Sequence, residues 1–178
     1  MIYWLRLFGL IFIFICIVAG IGYLLPRSYD FEVAQTIEAD PQTVFDNFDK
    51  FPDWQPWSQW SSENPNIEFL KYSDDGDTVE WTDNRGKGVM KIIESVPGEM
   101  VRVSSNYGNF PEMISTLKVS SNAGSTVVLW QSVGRLPSGP FYGYFRPFFP
   151  NGMRAQYADS LRKLRIQCEQ QNESAVTN

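Results

Sequence analysis

The chain has 178 residues, 15 of them Lys or Arg, 20 Asp or Glu and none His, for a net charge of −5. The missing histidine excludes Ser-His and Cys-His nucleophile pairs and the commonest metal ligand. The acidic balance opposes nucleic-acid binding, whose sequence-independent affinity comes from basic side chains meeting phosphates.

Residues 7–25, LFGLIFIFICIVAGIGYLL, contain no charged side chain and no proline. As a helix this run is about 28 Å long, close to the roughly 30 Å hydrocarbon thickness of a bilayer. A retained anchor is favoured over a cleaved signal peptide. The run exceeds the about 7–15 residues of a signal core, and Ala19 has Ile17, not a small residue, two positions earlier. Cys16 follows Ile15 rather than a small residue, which rules out a lipoprotein site. Arg6 precedes the run, whereas Arg27 is followed by Asp30 and Glu32, so the expected orientation is N-terminus inside, domain outside. The expected location is thus the cytoplasmic (inner) membrane, single-pass, with the domain on the periplasmic side. The second cysteine, Cys168, lies in the soluble part, so no disulfide framework exists.

Pro26 ends the span, and residues 1–28 are expected to be an anchor and short linker, 29–170 one domain of common size, and 171–178 a frayed polar tail. Phe31, Val33 and Ile37 alternate with polar or small residues as in a half-buried strand. Asp40-Pro41 supplies a helix cap and a proline at the first helical position, with Val44, Phe45 and Phe48 as the apolar face. Pro52 and Pro56 break the next segment, through which Trp54, Trp57 and Trp60 recur every three residues. Turn signals from 74 onward then separate strands near 66–72, 78–83, 87–96, 99–105, 112–120 and 125–134. A last helix, roughly 152–169, places Met153, Tyr157, Leu161, Leu164 and Cys168 on one face. The order is α+β: a curved antiparallel sheet whose apolar face a long C-terminal helix covers, leaving a gap suited to an apolar ligand.

Charge is uneven. Residues 30–84 carry fourteen acids against Lys50 and Lys71, while from Arg135 to Arg165 six basic residues face only Asp159. Mutual neutralisation of the two halves is the plain expectation, and a basic surface for an anionic lipid or ligand is the alternative.

The stretch VAQTIEADPQTVFDNFDKFPDWQPWSQW resembles the opening of the START-like (SRPBCC) superfamily, in particular its polyketide cyclase/dehydrase-like branch. GKGVMKIIESVPGEMVRV is similar to that family's Gly-x-Gly strand and Pro-Gly hairpin, STVVLW to its strand ending in Trp, and MRAQYADSLRKLRI to its closing helix. The resemblance covers about residues 30–168 and rests on the ordered sum of these motifs. It implies a helix-grip fold around a deep hydrophobic pocket, in a superfamily of lipid carriers, ligand receptors and some cyclases. The membrane span lies outside the family domain, and GRLPSGPFYGYFRPFFPNG is richer in aromatics and proline than the family pattern.

Trp57 and Trp60 are candidates to stack on a ligand at the pocket mouth, although large aromatics most often fill cores. Trp81 and Trp130 lie in strands whose parity leaves open which face they take; Met90 and Tyr157 are candidate wall residues. Phe145 belongs to a segment with six aromatics in nine residues, Phe141 to Phe149. Its plain reading is a capping helix packed on the sheet; the alternatives are a pocket lid and an interfacial patch touching the bilayer. Asp74, Asp75 and Asp77 form a hairpin turn, because a calcium loop begun there would end on Arg85 rather than Glu. Gly86-Lys87-Gly88 opens a strand, not a phosphate loop. Glu80, Arg102, Glu112 and Gln131 are strand residues for which solvent is the expected side. No catalytic residue, cofactor or metal site is read.

The expected function is a membrane-anchored binding protein for a small hydrophobic molecule or lipid. The rivals are a cyclase or dehydratase using Tyr157, Glu80 or Arg102 for proton transfer, and an envelope interaction module with a collapsed pocket. Converging polar side chains would mark the enzyme, an almost wholly apolar interior the carrier, and the lack of a pocket the module.

Overall fold

An uninterrupted apolar run with no polar face folds into the first helix of the computed structural model, α1 (Ile2–Leu24), which is almost wholly exposed along Arg6–Leu24 and long and apolar enough to cross a membrane. The structure describes residues 2–61, 63–84, 86–122 and 124–177. Leu25 N donates to Ile21 O at 3.1 Å, and Pro26, which has no N–H to give, ends the helix.

Seven strands follow: β1 (Ser28–Ile37), β2 (Ile67–Tyr72), β3 (Thr78–Asp83), β4 (Gly86–Val96), β5 (Met100–Tyr107), β6 (Met113–Asn122) and β7 (Ser125–Arg135). They pair antiparallel in the order β1-β7-β6-β5-β4-β3-β2, so β2 to β7 form a meander and β1 returns beside the last strand. The strands expected from turn spacing are all present, with ends shifted by at most two residues. Register breaks between Ile67 and Phe69 and between Ile92 and Glu94 add local bends. The inward side chains include Tyr29 and Phe31 of β1, Val79 and Trp81 of β3, Met90 and Ile92 of β4, Val101 and Val103 of β5, Leu117 of β6 and Val128 and Trp130 of β7, all buried.

The cover is α4 (Phe149–Thr177), whose Tyr157, Leu161, Leu164 and Cys168 are buried against that face. This is an α+β helix-grip fold, a seven-stranded antiparallel sheet packed on a long C-terminal helix. The helix is longer than the expected 152–169. It continues through the stretch expected to fray, because Asn47 Nδ2 donates to Gln171 Oε1 at 3.0 Å and Asn172 Nδ2 to Glu38 O at 3.1 Å.

Between β1 and β2 the chain makes α2 (Pro41–Asp46) and a 3-10 turn, Phe51–Trp54. Asp40 Oδ1 accepts from Gln42 N and Thr43 N, both at 3.0 Å, with Pro41 at the first helical position, as the local sequence dictates. Thr126 Oγ1, fully buried on β7, donates to Ala39 O at 2.6 Å and fixes where this insertion leaves the sheet.

The segment after β7 departs from expectation. Its helix, α3 (Tyr142–Phe145), is only four residues long and packs on the end of α1, not on the sheet. Tyr144 Oη donates to Val18 O at 2.8 Å. Gly22 lets the chains meet: a Cβ there would lie 1.6 Å from Pro140 O, and one on Gly143 2.5 Å from Leu25 Cβ. The boundary at Pro26 therefore separates helix from strand, yet the last turns of α1 touch the domain.

Candidate functional site

The broken Trp segment folds as it does because its rings have somewhere to go. Pro52 and Pro56 prevent a long helix, and the chain turns so that Trp54 and Trp57 drop under the sheet, 1% and 0% exposed. Their indole N–H groups cap the carbonyls just past α2: Trp54 Nε1 donates to Phe48 O at 2.9 Å and Trp57 Nε1 to Asn47 O at 2.8 Å. From there rings pass across the whole interior. Trp54 meets Trp57 at 4.9 Å, Trp60 at 6.1 Å and Trp130 at 5.6 Å between centroids. Trp60 meets Trp81 edge-on at 6.0 Å, and Trp81 stacks on Tyr107 at 5.9 Å with planes 8° apart. Gly88 makes that stack possible, since a Cβ there would lie 2.0 Å from Trp81 Cζ2.

Trp130 also lies flat on Tyr157 of α4, with centroids 4.0 Å and planes 22° apart. The Tyr157 hydroxyl lies beside Ser132 and Ser115, which share a bond of 2.6 Å between their Oγ atoms. Burial pushes the Tyr157 phenol upward, partly offset by those two serines, so it is a neutral group and no base. Beside this trio the Trp130 indole Nε1 is buried without a hydrogen-bond partner. A buried unpaired donor costs about 1–3 kcal/mol of desolvation, so an acceptor placed there would be held strongly.

Six of the candidate residues read from the sequence, Trp57, Trp60, Trp81, Met90, Trp130 and Tyr157, therefore join one buried cluster. Both Trp81 and Trp130 face inward. Phe145 stands apart on α3 beside α1, 60% exposed. Glu80, Arg102, Glu112 and Gln131 all face outward, and Arg102 pairs with Glu94 at 3.0 Å. Ser115 and Ser132, the polar partners of Tyr157, were not singled out by sequence reasoning. Strand parity with Leu117 and Trp130 is the signal that places them inside.

Two concavities lie outside this interior. One, of about 610 Å³, runs over the outward side chains Phe69, Glu80, Thr82, Lys87, Val89 and Asn106 of β2 to β5 and reaches Trp81 and Tyr107 at the rim of the interior. The other, about 390 Å³, is a polar notch where α2 and the 3-10 turn meet α4, lined by Asp46, Asn47, Asp53, Gln167 and Gln171 among others. Burial, then the neighbouring Asp49 and Asp46, hold the Asp53 carboxyl above its ordinary value. Among the described residues no group of three His, Cys, Asp or Glu could hold a metal ion. Among the described residues no ion pair joins the acidic 30–84 stretch to the basic 135–165 stretch. Arg162 and Lys163 pair with Asp159, and Arg165 lies 3.8 Å from Glu169, all within α4.

Fold and interior together define a helix-grip domain with an aromatic core and one buried hydroxyl cluster. Residues 28–169 match the family described as polyketide cyclase / dehydrase and lipid transport, and the chain belongs to it. Similar solved structures include an uncharacterised protein from Bacillus thuringiensis (TM-score 0.60, 15% identity, 79% of this chain and 98% of that one). The di-domain ARO/CYC StfQ of the steffimycin biosynthetic pathway is also similar (TM-score 0.62, 10% identity, 82% of this chain and 52% of that one). Truncated norcoclaurine synthase from Thalictrum flavum matches with TM-score 0.58 and 16% identity over 79% of this chain and 94% of that one. At such identities these likenesses establish the fold alone. No curated protein matches the sequence.

Proposed function

We propose that this protein is a membrane-anchored binder of a small hydrophobic molecule or lipid that carries a hydrogen-bond acceptor, taken between the sheet and α4. The observation that carries the reading is the buried, unpartnered Trp130 Nε1 at the edge of the Tyr157–Ser132–Ser115 cluster, in an interior otherwise made of aromatic and aliphatic surface. Apolar burial supplies affinity, roughly 25 cal/mol per Å² before ordering costs, and the single donor orients the ligand. Family membership supports the same ligand class. The rings touch one another in this state, so binding requires some of them to move. Trp60 and Trp81, 8% and 7% exposed, are nearer the surface than Trp54 and Trp57 and have the shorter way to go. Three hydroxyls make up the cluster and, among the described residues, no acid or base joins them, which favours holding a ligand over proton transfer. Helix α1 is read as a retained single span of the cytoplasmic membrane, N-terminus inside and domain outside.

The test is native mass spectrometry and solvent extraction of the full chain purified in mild detergent. The expected result is one hydrophobic, non-detergent molecule per chain, with occupancy several-fold lower in Trp130→Phe, which keeps the ring and removes the donor. A parent protein that carries no such molecule, or a variant with unchanged occupancy, overturns the reading. An amino terminus near residue 20 in the membrane-derived protein would overturn the anchor alone.

A further inference from the structure

We infer that the aromatic turn Phe141–Phe149 is a second membrane contact, seated in the leaflet beside the last turns of α1, with Arg27, Arg135 and Arg146 at the level of the phospholipid phosphates. The inference rests on the reading that α1 spans the bilayer. Depth along α1 carries it. Tyr144 Oη bonds Val18 O, seven residues before Leu25, so the hydroxyl sits roughly 10 Å below the outer end of the apolar run. A span of this length has no turns to spare. If α1 fills the hydrocarbon, α3 is carried into the same leaflet.

The composition of the turn agrees. No charge occurs from Leu136 to Phe145, and Phe141, Phe145 and Phe148 are 56%, 60% and 71% exposed. Such rings exposed together are costly in water and at home at a membrane interface. Where the turn leaves α1, three arginines converge. Arg27 O accepts from Leu136 N at 2.9 Å, Arg135 is paired with Ser28 across the β1–β7 ladder, and Arg146 Nε donates to Ser28 O at 2.6 Å. None of the three has an acidic partner among the described residues, and Arg27 Nη1 is buried with no hydrogen-bond partner at all. The acids Asp30 and Glu32 follow farther along β1, away from α1. Guanidinium groups just above an apolar layer match the phosphates of an anionic leaflet. One consequence bears on the ligand. Phe149 begins α4 and lies between Tyr29, tilted against it at 4.9 Å, and Phe110, stacked on it at 5.9 Å, so the end of the interior they close faces the leaflet, from which a lipid can enter directly.

The experiment uses the full chain in nanodiscs of phosphatidylcholine and phosphatidylglycerol, with spin labels read by oxygen and nickel-chelate accessibility. Native Cys16 is exposed on α1, while Cys168 is fully buried with its thiol pushed up to about 12, so labelling is confined to the first. Phe145→Cys, Phe148→Cys and, as a control on the exposed far end of the sheet, Ser120→Cys are made in a Cys16→Ser background. Nickel accessibility at 145 and 148 is expected to be several-fold below that at 120, with Cys16 in the parent oxygen-favoured. If Cys16 is in hydrocarbon while 145 and 148 match 120, the inference falls and the span stands; if Cys16 is itself nickel-accessible, both fall. In Arg135→Gln/Arg146→Gln the label at 145 is expected to shift toward water in the anionic discs, and an unchanged depth removes the arginines from the contact.

Discussion

The Trp130 ring lies on that of Tyr157 with centroids 4.0 Å apart, and the two side chains divide the polar chemistry of the interior between them. Tyr157 turns its hydroxyl to Ser132 and Ser115, whereas Trp130 keeps an unpaired donor. Tyr157→Phe should therefore cost only about 0.5–1.5 kcal/mol, because Ser115 and Ser132 still bond each other and the stacked ring remains. Trp130→Phe should cost more through lost volume, yet it also removes a buried unpaired N–H, so its loss should fall short of the about 3–5 kcal/mol of a full truncation to Ala. Urea unfolding of the three variants gives the ranking. A Tyr157→Phe loss as large as that of Trp130→Ala would mean the hydroxyl cluster holds the sheet to α4.

Gly88→Ala tests the Trp81–Tyr107 stack. The added methyl meets the Trp81 indole at 2.0 Å, so the ring must leave Tyr107, at an overpacking cost of about 1–3 kcal/mol. Gly86→Ala, two residues earlier on the same strand, meets nothing within 4 Å and should be neutral within about 0.5 kcal/mol. Near-ultraviolet circular dichroism should change for the first and not for the second.

Much of this arrangement was legible beforehand because it is local. The alternation through Phe31, Val33 and Ile37, the Asp40-Pro41 cap and the turn spacing each report on a few neighbouring residues, and each formed as read. The period of Trp54, Trp57 and Trp60 is visible too, but the spacing does not show that Trp54 meets Trp57, Trp60 and Trp130 together, since its position depends on the Phe48 carbonyl just past α2 and on β7. Ser115 and Ser132 share strand parity with Leu117 and Trp130, but only the register Ser115–Ser132 sets them side by side. The packing of α3 on α1 joins positions more than a hundred residues apart through Gly22 and Gly143, and no periodicity within either segment announces it.

Alkaline pH should weaken the fold in a defined order. Burial raises the Cys168 thiol from 9.0 to about 12, with Glu169 and Asp40 adding to it. Burial also raises the phenols of Tyr29 and Tyr72 from 10.0 to about 12, Tyr157 adding to the effect on Tyr29. In each case the folded state keeps a proton that the unfolded state releases first. The associated stability is complete below the unfolded values and is lost as pH rises through the folded ones. Denaturant midpoints should therefore hold steady up to about pH 8.5 and decline from about pH 9 upward. Cys168→Ala should move the onset of the decline to about pH 10, where the tyrosines begin. A parent midpoint that is flat to about pH 11 would show these groups to be solvated in the protein.

The last prediction separates core from membrane-facing surface by comparing two large apolar residues. Leu161 on α4 is 0% exposed, and its truncation to Ala should leave a cavity costing about 2–5 kcal/mol. Phe145 on α3 is 60% exposed and outside the buried cluster, so Phe145→Ala should change the unfolding free energy in detergent by no more than about 0.5 kcal/mol. The comparison is repeated after exchange into amphipol and into nanodiscs. Leu161→Ala should show the same loss in all three, whereas Phe145→Ala should show its effect only against lipid. If the melting temperature falls as far for Phe145→Ala as for Leu161→Ala in detergent, the aromatic turn is part of the folded core and its exposure has no bearing on the membrane.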